Sequence, residues 1–165
     1  MVDFPTSLDS LSNPASSDKL NSPAHSTQHI NANDALEALE AKVGVDASAV
    51  VASQDYKIRK GLGIQANTPA GGKVTLNLSL KNIHNVALNA AAITITLSNV
   101  SVGQVFVIRS TQDATGSRTI TWFSTINWDD NTAPTLSTTA NKTDVFGFIC
   151  TSTGNYDGFI LGQNK

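Results

Sequence analysis

Lys73-Val-Thr-Leu-Asn-Leu-Ser-Leu80 decides how this chain is read. Val74, Leu76, Leu78 and Leu80 alternate with Thr75, Asn77 and Ser79. A period of two, apolar against polar, marks a strand with one buried face. The same period returns downstream, where Ile93, Ile95 and Leu97 sit among threonines. Gln104–Ser110 reads as a third, more apolar strand. Asp113-Ala-Thr-Gly116 is a turn, and Arg118–Phe123 returns from it with Ile120 and Trp122 on one face. Asp144–Thr151 and Tyr156–Leu161 form a closing pair around Ser152-Thr-Gly-Asn155. Roughly six to eight short strands with frequent turn signals predict an antiparallel β-sandwich, jelly-roll-like, over residues 73–165. Neither an internal repeat nor a parallel βαβ alternation is visible.

Upstream, Gly61, Gly63, Pro69, Gly71 and Gly72 mark a hinge over 63–72. Before it, 46–62 reads as a weak helix or irregular stalk. The strong helix signal is Asn31-Ala-Asn-Asp-Ala-Leu-Glu-Ala-Leu-Glu-Ala-Lys-Val43. Asp34 with Glu37 makes a capping box, and Gly44 is a stop signal. Leu36, Leu39 and Val43 form one narrow apolar stripe at a-d-a spacing. A helix this short is marginal alone, since about 12–15 residues are needed even with good formers. The stripe therefore needs a partner, and no second helix of matching strength exists in the sequence. Residues 31–62 are read as a helical stalk that self-associates.

Residues 1–30 carry neither period. Pro5, Pro14 and Pro23 punctuate a Ser/Asn/Thr background, which predicts an extended arm. Its large apolar groups Phe4, Leu8, Leu11 and Leu20 are too sparse for a core. They suit anchors on another protein's surface.

Charged residues are 15% of the 165 and the formal net charge is −2, so there is no electrostatic footprint for nucleic acid or an anionic membrane. No apolar run approaches the roughly 20 residues that span a bilayer. The N-terminus lacks the basic and apolar regions of a secretory signal. Assembly in a cytoplasm is expected. The single cysteine, Cys150, shares a strand face with Phe146 and Phe148 and is expected to be a buried small hydrophobe.

Chemistry-bearing motifs are sparse. His25 and His29 have the spacing of two ligands on one helix face. The local sequence is not read as helical and no third ligand is near, so no metal and no cofactor are expected. Asp129-Asp130 is an adjacent carboxylate pair, whereas glycoside hydrolysis needs two carboxyls several ångströms apart across a cleft. No nucleophile or phosphate-loop motif occurs. The chain is not expected to be an enzyme. Lys57-Ile-Arg-Lys60 reads as a solvated junction. Trp128 lies in a loop-like context with Asp129, Asp130 and Asn131, where an exposed indole could stack on a sugar and the polar groups bond its hydroxyls. The bland alternative is a Trp that plugs one end of the sandwich. Tyr156 is a second candidate of the same kind.

Two segments carry a resemblance. Residues 11–45, Leu11-Ser-Asn-Pro-Ala-Ser-Ser through Ala-Lys-Val-Gly-Val45, resemble a segment near the N-termini of bacteriophage fibre and minor virion proteins. Gln112-Asp-Ala-Thr-Gly-Ser-Arg-Thr-Ile-Thr-Trp122, Ala133-Pro-Thr-Leu-Ser-Thr-Thr-Ala140, Asp144-Val-Phe-Gly-Phe148 and Tyr156-Asp-Gly-Phe159 are similar to a β-domain of phage tail and capsid fibres. The resemblance implies a virion component: a homotrimeric fibre with a docking arm, a short coiled-coil stalk and a distal β-head. The chain leaves room for no long shaft, which favours a stubby fibre or decoration on capsid, collar or tail. Its partners would be two further copies and another virion protein. In the structural reading the head merely projects. In the alternative it attaches to the host by recognising a surface polysaccharide. A depolymerase is a third reading, against which the lack of a separated acid pair argues.

Overall fold

The computed structural model describes residues 25–44, 49–50 and 52–165. The expected anchors Phe4, Leu8, Leu11 and Leu20 lie outside the described residues. The chain divides into two compact units, 1–59 and 60–165.

In the first unit, α1 runs over His25–Val43. It starts six residues before the expected Asn31, so His25 and His29 are helical after all. The reason is in the sequence: from Ala24 to Val43 there is neither Pro nor Gly, so nothing stops the helix from propagating back towards Pro23. Asp34 and Glu37 are consequently mid-helix and cap nothing. The predicted stop holds. Gly44 adopts φ +87° and its N–H donates to the Glu40 carbonyl at 2.7 Å, a left-handed cap that costs glycine little. The weaker helix also forms, as α2 over Gln54–Gly61. Buried Ser53 caps it: Oγ accepts from the N–H of Tyr56 at 3.2 Å. Arg59 and Asp55 pair one turn apart at 2.9 Å.

The second unit is mainly β, as the period of two predicts. Its strands are β1 (Gln65–Asn67), β2 (Lys73–Asn77), β3 (Ile83–Leu88), β4 (Ala92–Ser98), β5 (Val105–Gln112), β6 (Thr119–Thr121), β7 (Thr125–Trp128), β8 (Thr143–Ser152) and β9 (Asn155–Gly162). They make a six-stranded sheet of order β1-β3-β5-β8-β9-β7 and a three-stranded sheet of order β2-β4-β6. Residues 65–67, expected inside a hinge, thus form the first strand of the larger sheet.

The antiparallel expectation fails for most pairs. β1 with β3, β3 with β5, β2 with β4, β4 with β6 and β7 with β9 are parallel. Only β5 with β8 and β8 with β9 run antiparallel. From β1 to β6 the chain visits the two sheets alternately, so each strand's crossover is a strand of the other sheet. Parallel neighbours need a long crossover, and here it is β rather than helix. The turn at Asp113 shows how a hairpin is refused. Gly116 and Ser117 both take positive φ, 74° and 58°, and swing the chain into the other sheet. The Arg118 N–H then bonds the side chain of Gln112 at 2.8 Å instead of a β5 carbonyl.

One core draws on both sheets. Leu76, Leu78, Ile93 and Ile95 from the small sheet's strands and turns meet Val86, Leu88, Phe106 and Ile108 from the large one. Towards the C-terminal strands the core becomes aromatic, with Phe123, Trp128, Phe146, Phe148 and Tyr156. Cys150 is buried with them, as expected. His84 is a buried polar member. Its Nε2 donates to the Lys81 carbonyl at 3.0 Å, and its Nδ1 accepts from Asn67 Nδ2 at 3.2 Å. Burial pushes its pKa below the ordinary imidazole value. A neutral ring satisfies both bonds, which ties β1 to β3.

Candidate functional site

The strand β6 is an edge of the small sheet. Beside it the chain returns through 134–138, and the two enclose a shallow cleft of about 260 Å³. Ile120, Trp122, Pro134 and Leu136 give it an apolar floor, while Ser117, Thr119, Thr135 and Thr138 supply hydroxyls. Arg118 lines it as the one charged side chain.

Buried polar groups clamp the two walls. Gln112 Nε2 donates to the Arg118 carbonyl at 3.0 Å and to the Ser137 carbonyl at 2.8 Å, so one amide spans the cleft's base. The buried carboxylate of Asp144 accepts from the Ser137 N–H at 2.6 Å, the Ser137 hydroxyl at 2.7 Å and the Asn164 N–H at 2.9 Å. Gly116 sits so close to the second wall that a Cβ there would lie 2.4 Å from the Thr138 carbonyl oxygen. The Arg118 guanidinium is itself held. Its Nε and Nη2 donate to Asp113 at 2.8–3.0 Å. That hydrogen bonding lowers the Asp113 pKa and raises that of Arg118. Such a cleft can present hydroxyls and a cation to a small polar ligand over an apolar floor.

The structure does not assemble the residues expected from the sequence to bind a glycan. Trp128 is not in a loop; it ends β7 and is only 9% exposed. Its ring packs edge-on against Trp122, Phe146 and Phe148 at 5.5–6.1 Å. It also covers Gly158, where a Cβ would lie 2.7 Å from the indole. The plug reading therefore describes Trp128, and the exposed-indole expectation does not hold. The hollow beside it is about 40 Å³, room for little more than a water molecule. Tyr156 is also buried, edge-on to Phe106 and Phe123. Asp129 and Asn131 are exposed in a short 3-10 turn, Asp129–Asn131. Sequence reasoning passed over the cleft because Trp122 looks like plain core and 133–140 carries no period. The one available signal was the run of hydroxyls on both walls.

Among the described residues no group of three or more His, Cys, Asp or Glu could hold a metal ion. Among them, too, no helix is long and apolar enough to cross a membrane. Leu36, Leu39 and Val43 of the α1 stripe are 55%, 47% and 51% exposed.

Residues 67–155, more than half of the chain, match the family described as "Putative phage tail fibre C-terminal domain". No curated protein and no solved structure matches.

Proposed function

This chain belongs to that phage tail fibre family and is a tail-fibre-type structural component of a virion, a premise from which we propose a short homotrimeric fibre or decoration. In this reading residues 1–30 anchor it to another virion protein on capsid, collar or tail through Phe4, Leu8, Leu11 and Leu20. Leu36, Leu39 and Val43 join three copies as a coiled coil, and the β-unit projects as the head. The fibre is assembled in the host cytoplasm and performs no catalysis. The observation that carries the reading is the α1 stripe: three large apolar side chains one and two turns apart, each about half exposed within its own chain. Burying the exposed half of each leucine is worth about 0.8–1.5 kcal/mol, a gain that supports a helix which is marginal alone. Replacing Leu36 and Leu39 by Asp is expected to weaken assembly at least about tenfold in a sedimentation dilution series, while the far-ultraviolet signal of the strands persists. A variant that assembles as tightly as the parent would rule out the stalk.

A second reading is host attachment, with the head binding a surface polysaccharide. It is supported by the clamped cleft beside β6 rather than by Trp128. The cleft is near the lower limit of ligand sites, about 300 Å³, and suits one sugar ring over Ile120 and Trp122. On a glycan array the full chain is expected to bind selectively, and Thr119→Val with Thr135→Val to reduce that binding at least about tenfold, since unpaired sugar hydroxyls discriminate strongly. Absence of selective binding leaves the head as decoration.

A further inference from the structure

The inner face of the six-stranded sheet is covered by the small sheet's side of the core. On its outer face Val105, Phe159 and Leu161 are exposed, while Ile83, Val107 and Ile149 are half-buried. Across that face Ile83, Val107, Gly147 and Phe159 stand in register on β3, β5, β8 and β9. The adjacent row is Val105, Ile149 and Asp157. Val105 and Phe159 are 56% and 40% exposed, and Leu161, 56% exposed, leans over the bare backbone of Gly147. In a chain rich in Ser, Thr and Asn this is a concentrated apolar patch, and such patches rimmed by polar groups mark protein interfaces.

The rim says what fits. Arg109 lies on β5 at one end of the patch, half-buried, and its side chain makes no hydrogen bond or ion pair among the described residues. Asp157 lies on β9 at the opposite end, held only by Asn127 Nδ2 at 3.2 Å. Register places them two strands and four residues apart, which is about 16 Å from strand spacing and rise. They cannot pair within one chain. A second copy carries the complementary charges at the matching separation, around an equally apolar centre. We propose that this outer face is an interface between copies, in which Arg109 of one chain meets Asp157 of the next. In a closed ring every copy then satisfies both charges. The proposal rests on the reading that the chain self-associates, and it adds a contact in the head to the one in α1.

The test uses the full chain in a sedimentation dilution series, with Arg109→Asp, Asp157→Arg and the double exchange, each checked for an unchanged thermal midpoint. Each single reversal is expected to weaken association about tenfold or more, as close interfacial charge pairs do. The double exchange is expected to return it to within about threefold of the parent. Rescue within one chain is excluded by the separation. Single reversals without effect, or a double exchange no better than the singles, overturn the proposal; this includes the case where residues 1–24 of the same chain cover the face. A parent chain that is monomeric overturns the fibre reading as well, whereas a parent that assembles while the reversals are silent removes this face alone.

Discussion

Phe148→Ala is expected to destabilise the head by about 3–5 kcal/mol, the range for emptying a buried aromatic site. Phe148 is fully buried on β8 at the centre of the aromatic end of the core. Its ring stacks on Phe106 at 5.1 Å and meets Phe123 at 5.2 Å, Trp128 at 5.5 Å and Trp122 at 5.6 Å. These partners come from β5, the segment after β6, and β7. Removal therefore opens a cavity that no single element can collapse into. A marginally stable domain has about 5–15 kcal/mol in total, so the loss is a large fraction of the whole. Urea denaturation followed by tryptophan fluorescence measures the change. A loss below about 1.5 kcal/mol would mean that the rings do not share one packed core.

Asp144→Ala is expected to cost about 3 kcal/mol and, beyond stability, to loosen the wall of the cleft. The carboxylate takes two donors from Ser137 and one from Asn164. Each buried donor left without an acceptor costs about 1–3 kcal/mol, with partial relief where water can enter. Asp144→Asn is no rescue. Both oxygens accept, so an amide nitrogen in either place faces a donor. Limited proteolysis should cut both variants between 133 and 140 faster than the parent, and urea melts should show the loss. A parent-like cleavage rate would mean that Gln112 and Gly116 hold that wall alone.

The strands were legible where one face alternates cleanly. Leu76 and Leu78, Ile93 and Ile95, and Phe146, Phe148 and Cys150 all lie in the core the period of two assigned to them. The β8–β9 hairpin was legible too, because Ser152-Thr-Gly-Asn155 is a turn that joins antiparallel neighbours. β3 was missed because a buried histidine, His84, occupies a core position and breaks the apolar alternation. β1 and β7 are only three and four residues long, too short to show a period.

Pairing was the larger failure, and its cause is local. Segments such as 99–104 and 113–118 have the length and the Asn, Asp and Gly content of hairpin loops. What sends each one to the opposite sheet is backbone conformation, with positive φ at Asn99, Gly103, Gly116 and Ser117. A short turn at the sheet's edge looks the same in sequence whether it reverses the chain or carries it across. The site was misplaced for a related reason. Trp128 stands among Asp and Asn, which reads as exposure. Its burial depends on Gly158, thirty residues on, which leaves space for the indole. Nothing near Trp128 in the sequence reports that.

Self-association is the central claim: Leu36, Leu39 and Val43 on α1, and Val105, Phe159 and Leu161 on the large sheet, all stand exposed within one chain. The mass of the intact full-length particle in native mass spectrometry, at low micromolar concentration, tests this most directly. A single species at three times the 17.3 kDa of one chain is the predicted result. A monomer across the whole concentration range would contradict it.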